Sequence, residues 1–359
     1  MGFFARVILD SISETGKRIT TFEVTFPRIV LAEFNTHRMF SRNSASSRAI
    51  PVSKQLERIR TNPFIPERFP KAQKGMQPSG YYEQGSSDYE LAKNVWLCAR
   101  DAAIHHAKLL IGDEPAMLED SGSDFVSDKE IFLHTHKQIA NRLLEPFMWH
   151  TVIVTATEFD NFFKLRTHPD AQAEIKTIAD LMYEAYTAFD LDTSPCFDNQ
   201  DPDINSISGP NWETIRPQKL KDNEWHLPLV HKEDRKLIED LWYSASGDSF
   251  KWITNLVGLG KNVFIEIPKM ISVARCARVS YLTHDGKRDI VKDLELFERL
   301  KTSGHWSPFE HVATPYFKAE KIYIFQPDMV NVDLQSGNFF GWKQYRKEFQ
   351  DENCTRFRK

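Results

Sequence analysis

The order of apolar and polar positions predicts a strand, a turn and a second strand at the start of the chain. The apolar run 7–9 is followed by a polar stretch that ends at Gly16, and residues 20–26 are rich in β-branched and aromatic side chains. Residues 151–155, Thr-Val-Ile-Val-Thr, have a similar character and predict a buried strand or an extended connection. The first half of the chain therefore contributes the strands of a sheet.

Apolar residues at helical spacing predict helices in other parts of the chain. The expected ranges are 89–110, 128–144, 170–185, 232–244 and 289–301. Asp128 and Asp170 are the expected N-caps of the second and third helices, because a short acidic side chain can accept from the first free backbone N–H groups. Residues 50–88 contain five prolines and little periodicity, so they predict an irregular covering loop.

Two of these helices have a regular apolar stripe. In the first, the stripe consists of Leu91, Val95, Cys98, Ala102, His105 or His106, and Leu109; in the third, it consists of Ala171, Ile175, Ile178, Met182 and Ala185. We interpret both stripes as core-facing. Cys98 and Cys276 lie within apolar patterns and are therefore expected to be core thiols.

Strands and helices in this order predict an α+β (mixed α/β) fold, in which helices pack against a twisted, mainly antiparallel sheet. Residues 194–228 are rich in proline, asparagine and aspartate, which indicates a linker or an insertion. We expect the first part of the core at 1–195, a linker or insertion with a helix at 196–265, and the remainder of the core with a tail at 266–359.

Composition narrows the class of protein. The 359 residues carry a net charge of −4 with a pI near 6.3, which argues against a protein that binds long nucleic acids. The four cysteines show no CxxC spacing and are read as reduced thiols in a cytoplasmic protein. No apolar run has the length of a membrane span, and no signal pattern is visible at the N-terminus.

Residues 36–48 carry the strongest chemical signal. The run Thr-His-Arg-Met-Phe-Ser-Arg-Asn-Ser-Ala-Ser-Ser-Arg contains three arginines, a histidine, an asparagine and four serines, without an acid. These side chains offer many donors to phosphate and carbonyl oxygens. An apolar segment leads directly into the run, so we predict an anion site on a buried scaffold. On composition alone, a solvated turn rich in serine and arginine is an equal alternative.

The run resembles the signature of flavin-dependent thymidylate synthases, Arg-His-Arg-x-x-Ser-x-Asn-x-x-Ser-x-Arg. The positions in register are His37, Arg38, Ser41, Asn43, Ser46 and Arg48. Two positions depart from the pattern, because Thr36 replaces its first arginine and Ser44 replaces the acid that usually follows the asparagine.

Further stretches of the chain are similar to other motifs of that family. They are Asn-Phe-Phe-Lys-Leu-Arg at 161–166 with Ala-Gln-Ala-Glu at 171–174, Asn-Arg-Leu-Leu-Glu-Pro at 141–146, Ala-Arg-Val-Ser-Tyr at 277–281 and Gly-His-Trp-Ser-Pro-Phe-Glu-His at 304–311. In the family the last two motifs precede the arginine signature, whereas here they follow it. The chain therefore resembles a circularly permuted member, which predicts that the segment after His311 ends near the strand beginning at Ile19.

The resemblance implies the conversion of dUMP to dTMP, with methylenetetrahydrofolate as the one-carbon donor, FAD as the cofactor and NADPH as the reductant. It also implies a homo-oligomer, with a tetramer favoured. The pairs His105-His106 and His134-Thr-His136 lack the His-x-x-x-His spacing that places two imidazoles on one helical face, so we expect no metal. The catalytic residue it implies is Arg166, whose guanidinium would favour ionisation of the uracil N3. The implied substrate-binding residues are Ser46, Arg48, Arg142, Arg166, Gln344 and Arg346. The implied cofactor-binding residues are His37, Arg38, Asn43, Ser44, Asn161, Ser280, Ser307 and Glu310.

Several alternatives stay open at this point. Arg166 could instead form a structural ion pair with Asp160 or Asp170. Arg346 could replace the arginine missing at Thr36, or it could face solvent from a tail helix. The departures at Thr36 and Ser44 also leave room for a related enzyme that acts on dCMP or installs hydroxymethyl, and for an inactive nucleotide-binding relative.

Overall fold

The structure, a computed structural model, describes residues 2–44, 50–74, 78, 80–116, 130–188, 217–243, 262–280, 287–316, 336–349 and 352. Within these ranges the chain forms a mixed α+β fold around one five-stranded sheet. The fold class expected from the sequence is confirmed. None of the helices in these ranges has both the length and the apolar character that crossing a membrane requires.

The five-stranded sheet has the order β3-β4-β2-β1-β5. Its strands are β1 (Phe4–Ser13), β2 (Arg18–Pro27), β3 (Ser41–Ser44), β4 (Trp149–Ala156) and β5 (Gln218–Leu220). All neighbours are antiparallel except β5, which runs parallel to β1. The tight turn between β1 and β2 is possible because Gly16 adopts a positive φ of 79°. The strand, turn and strand predicted at the N-terminus and the strand predicted at 151–155 are confirmed.

The main core lies between one face of this sheet and two helices, α5 (Asp160–Arg166) and α6 (Ala173–Thr187). Ile175, Ile178 and Met182 are completely buried, which confirms the apolar stripe predicted for α6. The predicted cap at Asp170 is wrong, because Ala171 N donates to the carbonyl of His168 and closes a turn there. The helix begins after Gln172 instead.

A second cluster lies beside the sheet and contains the helices α2 (Val52–Thr61), α3 (Ser87–Ile111) and α4 (Lys137–Ala140), with a 3₁₀ segment at Asn141–Phe147. The covering loop expected at 50–88 is therefore partly wrong. Val52, Leu56 and Ile59 recur at steps of four and three and bury one face of α2 against this cluster. Prolines on both sides of the helix hid this short periodicity.

Two further expectations fail in this region. Helix α3 forms, but Leu91 and Val95 are 64% and 61% exposed and Cys98 is exposed, while Tyr89, Ile104 and Ala107 are buried. The predicted stripe is thus the outer face of the helix, and Cys98 is not a core thiol.

The helix expected over 128–144 is shorter than predicted. Residue 128 lies outside the described residues, and 130–136 are not helical, because Ile131 pairs with Ala116 in an isolated antiparallel bridge. The helix α4 begins at Lys137, after His136, whose ring accepts from the backbone N–H of Gln138. In this bridge the backbone N–H and carbonyl of Ile131 bond to Ala116, so they are not available for the hydrogen bonds of a helix.

A third cluster covers the other face of the sheet and contains α7 (Lys232–Tyr243), α8 (Val263–Arg278), α9 (Ile290–Ser303) and the 3₁₀ turn Ser307–His311. The predicted helices α7 and α9 are confirmed, and Cys276 is a core thiol whose pKa is raised by burial. The remaining short elements are a 3₁₀ turn at Arg28–Val30, α1 (Leu31–Phe34), β6 (Ala313–Pro315), β7 (Trp342–Gln344) and a 3₁₀ turn at Tyr345–Glu348.

The C-terminal part of the chain packs against the start of β2. Ile19 and Ala313 belong to one buried cluster with Trp342, and the Trp342 indole donates to the Lys17 carbonyl at 3.2 Å. The proximity predicted between the segment after His311 and the strand beginning at Ile19 is confirmed. This contact carries β6 and β7 to the edge of the sheet where β3 lies.

Candidate functional site

A cationic cavity lies where the arginine signature meets the C-terminal part of the chain. It has a volume of about 440 Å³ and is lined by Arg38, Phe40, Arg42, Glu310, Ser336, Gly337, Asn338, Gln344, Arg346 and Lys347. Four of these lining residues are cationic and one is acidic. Such a wall attracts an anion, and the volume is within the range of small-molecule sites.

Glu310 joins the two halves of this cavity. Its carboxylate accepts from the Ser41 hydroxyl on β3 at 2.7 Å and from the guanidinium of Arg346. Arg346 also donates to Glu352 at 2.7 Å. Burial alone lowers the pKa of Arg346, but its bonds to Glu352 and Glu310 raise it overall, so Arg346 stays charged. The tail arginine is therefore held at the cavity and does not project freely into solvent.

Gln344 forms the buried floor of the cavity. Its amide nitrogen donates to Asn338 Oδ1 at 3.1 Å, and its amide oxygen accepts from Ser336 Oγ at 2.9 Å. Asn338 in turn donates to the Ser41 hydroxyl at 2.9 Å. These bonds fix the C-terminal wall against β3, and they connect Gln344 to Ser41 across 303 positions of sequence.

Arg42 closes the loop that carries the signature. Its guanidinium donates to the carbonyls of His37 at 2.8 Å and Asn35 at 3.2 Å, just after the end of α1. Burial lowers its pKa. The sequence reasoning gave Arg42 no role, because it occupies a variable position of the family pattern. The structure shows that it both lines the cavity and fixes the loop.

Arg166, the predicted catalytic residue, contacts the same loop from α5. Its Nε donates to His37 Nε2 at 2.8 Å, and its terminal nitrogen donates to the carboxylate of Glu33. Its side chain is 19% exposed, and its bonds to His37 and Glu33 use two of its three nitrogens. The acid that pairs with it is therefore Glu33, and not Asp160 or Asp170. Glu33 lies in no motif, so only the tertiary contact identifies it.

His37 is held neutral beside this arginine. Burial is the main cause that lowers its pKa to about 4, and the charges of Arg166 and Arg42 lower it further. The ring also packs edge-on against Phe162, with 4.9 Å between ring centroids. A neutral imidazole can accept the hydrogen bond from Arg166, which fixes the guanidinium in direction.

The two departures from the signature are visible in the structure. The Thr36 hydroxyl donates to the carbonyl of Glu33 at 2.7 Å, so this position offers no cation to the cavity. Ser44 lies on β3 opposite Val152 and brings no negative charge. Ser46 and Arg48 lie outside the described residues.

Asn43 and Ser307 meet beside the cavity. The Asn43 amide nitrogen, oriented from its hydrogen-bond network, donates toward the Ser307 carbonyl at 3.2 Å and the Ser307 hydroxyl at 3.3 Å. Asn43 belongs to the arginine signature and Ser307 to the Ser-Pro-Phe-Glu-His motif. The structure therefore brings together two motifs that the sequence separates widely.

Eight of the predicted site residues that the structure describes are not among those that line the cavity: His37, Asn43, Ser44, Arg142, Asn161, Arg166, Ser280 and Ser307. Arg142 donates to Glu145 at 3.0 Å on an exposed surface, and Asn161 is exposed in the first turn of α5. Ser280 follows the end of α8, where its backbone N–H donates to the Arg275 carbonyl. Their predicted roles remain untested.

Residues 17–189 match the model of the family described as thymidylate synthase complementing protein, Thy1. The match covers just under half of the chain and agrees with the resemblance seen in the motifs. The match contains the arginine signature and the Leu-Arg motif, while the Pro-Phe-Glu-His motif lies beyond it. No curated protein matches the sequence.

Similar solved structures include two of a UMP/dUMP methylase, PolB, from Streptomyces cacaoi. The one bound with 5-Br dUMP has 20% identity and a TM-score of 0.35 over 48% of this chain and 67% of that chain. The one bound with 5-Br UMP has 16% identity and a TM-score of 0.34 over 52% and 94%. Thymidylate Synthase X from Helicobacter pylori, with FAD and dUMP, has 17% identity and a TM-score of 0.28 over 47% and 67%.

Proposed function

We propose that the protein is a flavin-dependent thymidylate synthase, which converts dUMP to dTMP with methylenetetrahydrofolate, FAD and NADPH. The observation that carries the proposal is the joining of two family motifs at one cationic cavity, through the bonds of Glu310 to Ser41 and Arg346. An anionic nucleotide and a flavin both fit a wall of this charge.

The residues at the cavity fit the phosphates of a flavin. Arg38 is exposed toward it, and Arg38 and Arg42 face one acid, Glu310, across the cavity. His37, Arg38, Asn43 and Glu310 are our candidates for holding FAD, together with Ser44, Asn161, Ser280 and Ser307 as the resemblance implies. When bound and reduced, the flavin supplies the hydride for the new methyl group.

Arg166 is the proposed catalytic residue because its guanidinium is fixed in direction and its side chain is still partly exposed. Glu33 and His37 hold two of its nitrogens. A cation fixed beside the uracil stabilises the N3 anion, which makes carbon 5 more nucleophilic. Arg166 acts here through its positive charge alone and does not exchange a proton with the substrate.

We assign binding of the nucleotide phosphate to the remaining cationic and polar residues. Arg346 and Gln344 line the cavity and remain the candidates from the tail, while Arg142, Ser46 and Arg48 are implied by the resemblance. The planar fork of arginine suits a phosphate. We propose that Arg346 supplies the charge that Thr36 does not, and that subunits assemble as a homo-oligomer.

The test is an assay of purified protein with FAD, NADPH, methylenetetrahydrofolate and dUMP, with products identified by mass. We expect dTMP, and a loss of turnover of about 100-fold or more in Arg166→Ala, the range seen when a group that stabilises developing charge is removed. Arg60→Ala, an exposed arginine on α2, is the control and should keep full activity. A protein that binds flavin but forms no product would contradict the proposal.

A related reaction is the second candidate, supported by the neutral residues at Thr36 and Ser44. Because one cation and one acid of the pattern are missing, the same site could accept dCMP or install another one-carbon group. The same assay with dCMP as the substrate separates the candidates. A cytosine product or a hydroxymethylated product would favour this second function over thymidylate synthesis.

A further inference from the structure

A continuous chain of hydrogen bonds crosses the sheet beneath the third cluster. Its members, in order, are Ser11, His226, Thr21, Thr155, His311 and Asn43. The first four links measure 2.8, 2.8, 2.7 and 2.8 Å, and the last, from His311 Nε2 to the Asn43 amide, measures 3.1 Å. Side chains alternate along a strand, so Thr21 and Thr155 lie on the face opposite the main core.

The groups around Asn43 show which atom is the donor in the last hydrogen bond, between the Asn43 amide and His311 Nε2. Its amide nitrogen has the Ser307 carbonyl and hydroxyl and the Arg42 carbonyl within 3.1 to 3.3 Å, all of which can accept. The same nitrogen therefore also donates to His311 Nε2. Because His311 accepts on Nε2, its ring proton is on Nδ1.

The position of the His311 proton determines which atom donates in each of the remaining hydrogen bonds. His311 Nδ1–H donates to Thr155, the Thr155 hydroxyl donates to Thr21, and the Thr21 hydroxyl donates to His226 Nε2. The His226 proton is then on Nδ1 and is donated to the Ser11 hydroxyl. Each hydroxyl has a single proton, so a reversal at one end reverses every link.

Both histidines are neutral at physiological pH. Burial lowers the pKa of each to about 3, and for His226 the nearby His311 adds to the effect. A neutral imidazole has one donor and one acceptor, so the two tautomers are coupled through the threonines.

We infer that His226 is a positioning residue of the site: by accepting from the Thr21 hydroxyl, it supports the Nδ1–H tautomer of His311 and so keeps Nε2 available as the acceptor that holds the Asn43 amide. His226 lies in the segment 196–265, outside every motif that carries the family resemblance. The inference rests on the proposed function only where Asn43 is taken to contact the flavin. It gives the otherwise unassigned segment around His226 a role in the reaction.

The sharpest test is Thr21→Val, which keeps the shape of the side chain and removes the central hydroxyl. Thr155 then loses its acceptor and donates to His311 Nδ1 instead, so the His311 proton moves to Nε2. Nitrogen-15 chemical shifts of labelled histidines report this tautomer directly. We expect the His311 Nδ1–H form in the wild type and the Nε2–H form in Thr21→Val.

Thr25→Val is the matched control. Thr25 and Thr151 form an equivalent hydroxyl pair at 2.9 Å across the same two strands, without a histidine. This variant should leave the His311 tautomer unchanged. If Thr21→Val also leaves it unchanged, or if both variants alter it equally, the inference is wrong.

Flavin affinity is the second readout. Loss of one oriented hydrogen bond should weaken FAD binding by about three- to tenfold in Thr21→Val and in His226→Leu. His226→Gln, whose carbonyl can still accept from Thr21, should restore the affinity. Equal FAD affinity in wild type and Thr21→Val would overturn the role assigned to His226. Absence of dTMP in the wild type counts against the proposed function alone, because tautomer and affinity are measured without turnover.

Discussion

Two arginine networks of this protein differ in how fully their donors are used. In the third cluster, Arg275 is completely buried, and its nitrogens donate to Asp234 at 2.6 and 2.8 Å, to Asp293 at 3.0 Å and to the Leu229 carbonyl at 2.8 Å. At the candidate site, Arg166 and Arg346 keep 19% and 25% of their side chains exposed. An arginine whose three nitrogens all bond to buried acceptors holds the fold together, whereas one with a nitrogen left over can bind a ligand.

The pattern of the sequence does not separate these two kinds of arginine. Arg275 and Arg278 belong to the Ala-Arg-Val-Ser region, and both donate to Asp293. That motif therefore contributes a buried ion network here. Removing Arg275 from this network leaves the buried Asp234 carboxylate without its cation, so the largest effect on stability is expected there.

Breaking the buried network should cost the most. Arg275→Ala leaves Asp234 without its arginine and Asp293 with Arg278 alone, and we expect a loss of about 3–5 kcal/mol in the free energy of unfolding. Denaturant titration measures it. Arg166→Ala, measured in parallel, should change stability by less than about 1 kcal/mol, as is usual for a partly exposed ion pair. Similar losses for both variants would remove the distinction between the networks.

The pH dependence of stability extends the comparison to arginines whose partner is a histidine. Arg166 donates to His37, and Arg28 donates to His150 at 2.8 Å. Burial, followed by the arginine charge, lowers the pKa of His37 to about 4 and of His150 to about 3. The folded state thus binds fewer protons than the unfolded state, whose histidines titrate near 6.5.

Stability is therefore greatest above pH 6.5 and falls as the pH decreases toward 4. Each such histidine contributes a slope of up to about 1.4 kcal/mol per pH unit. We expect His150→Gln to have a shallower slope than the wild type by that amount between pH 6 and 5, measured by denaturant titration at each pH. Equal slopes would mean that His150 is not held neutral in the folded protein.

The smallest effect is expected at the acid that holds Arg166. Glu33→Gln keeps a hydrogen bond but removes its charge, so Arg166 should be less firmly oriented. We expect kcat for the proposed reaction to fall by about three- to tenfold, with little change in the dUMP KM. Glu57→Gln, an exposed acid on α2, is the control. An unchanged kcat would show that His37 alone suffices to orient Arg166.

Local patterns predicted the parts of this molecule that local physics determines. The strands at the N-terminus and at 151–155, the stripe of α6 and the helix α9 follow from alternation and periodicity. The outward orientation of the α3 stripe could not be predicted in this way, because periodicity identifies a stripe without saying which neighbour covers it. The short helix α2 was hidden by flanking prolines.

At the candidate site, too, local sequence motifs could be recognised, whereas residues that depend on tertiary contacts could not. The arginine signature and the Pro-Phe-Glu-His motif are visible in the sequence, and their residues Arg38 and Glu310 line the cavity. Glu33 and Arg42 were missed, because their roles depend on partners brought close by folding. The roles of all the predicted site residues remain predictions from the resemblance, and the residues that line the cavity do not include Arg166, Arg142, Asn161 or Ser280.

The wall formed by Gln344 and Arg346 also bears on how the protein matures. This wall is synthesised about 300 residues after the strand that it completes, since Gln344 contacts Ser41 across 303 positions. Contacts of such separation form late, both on the ribosome and in refolding from denaturant. A nascent chain can therefore complete the strands β1 to β4 well before any cavity exists, and ligand binding becomes possible only in the last stage of folding.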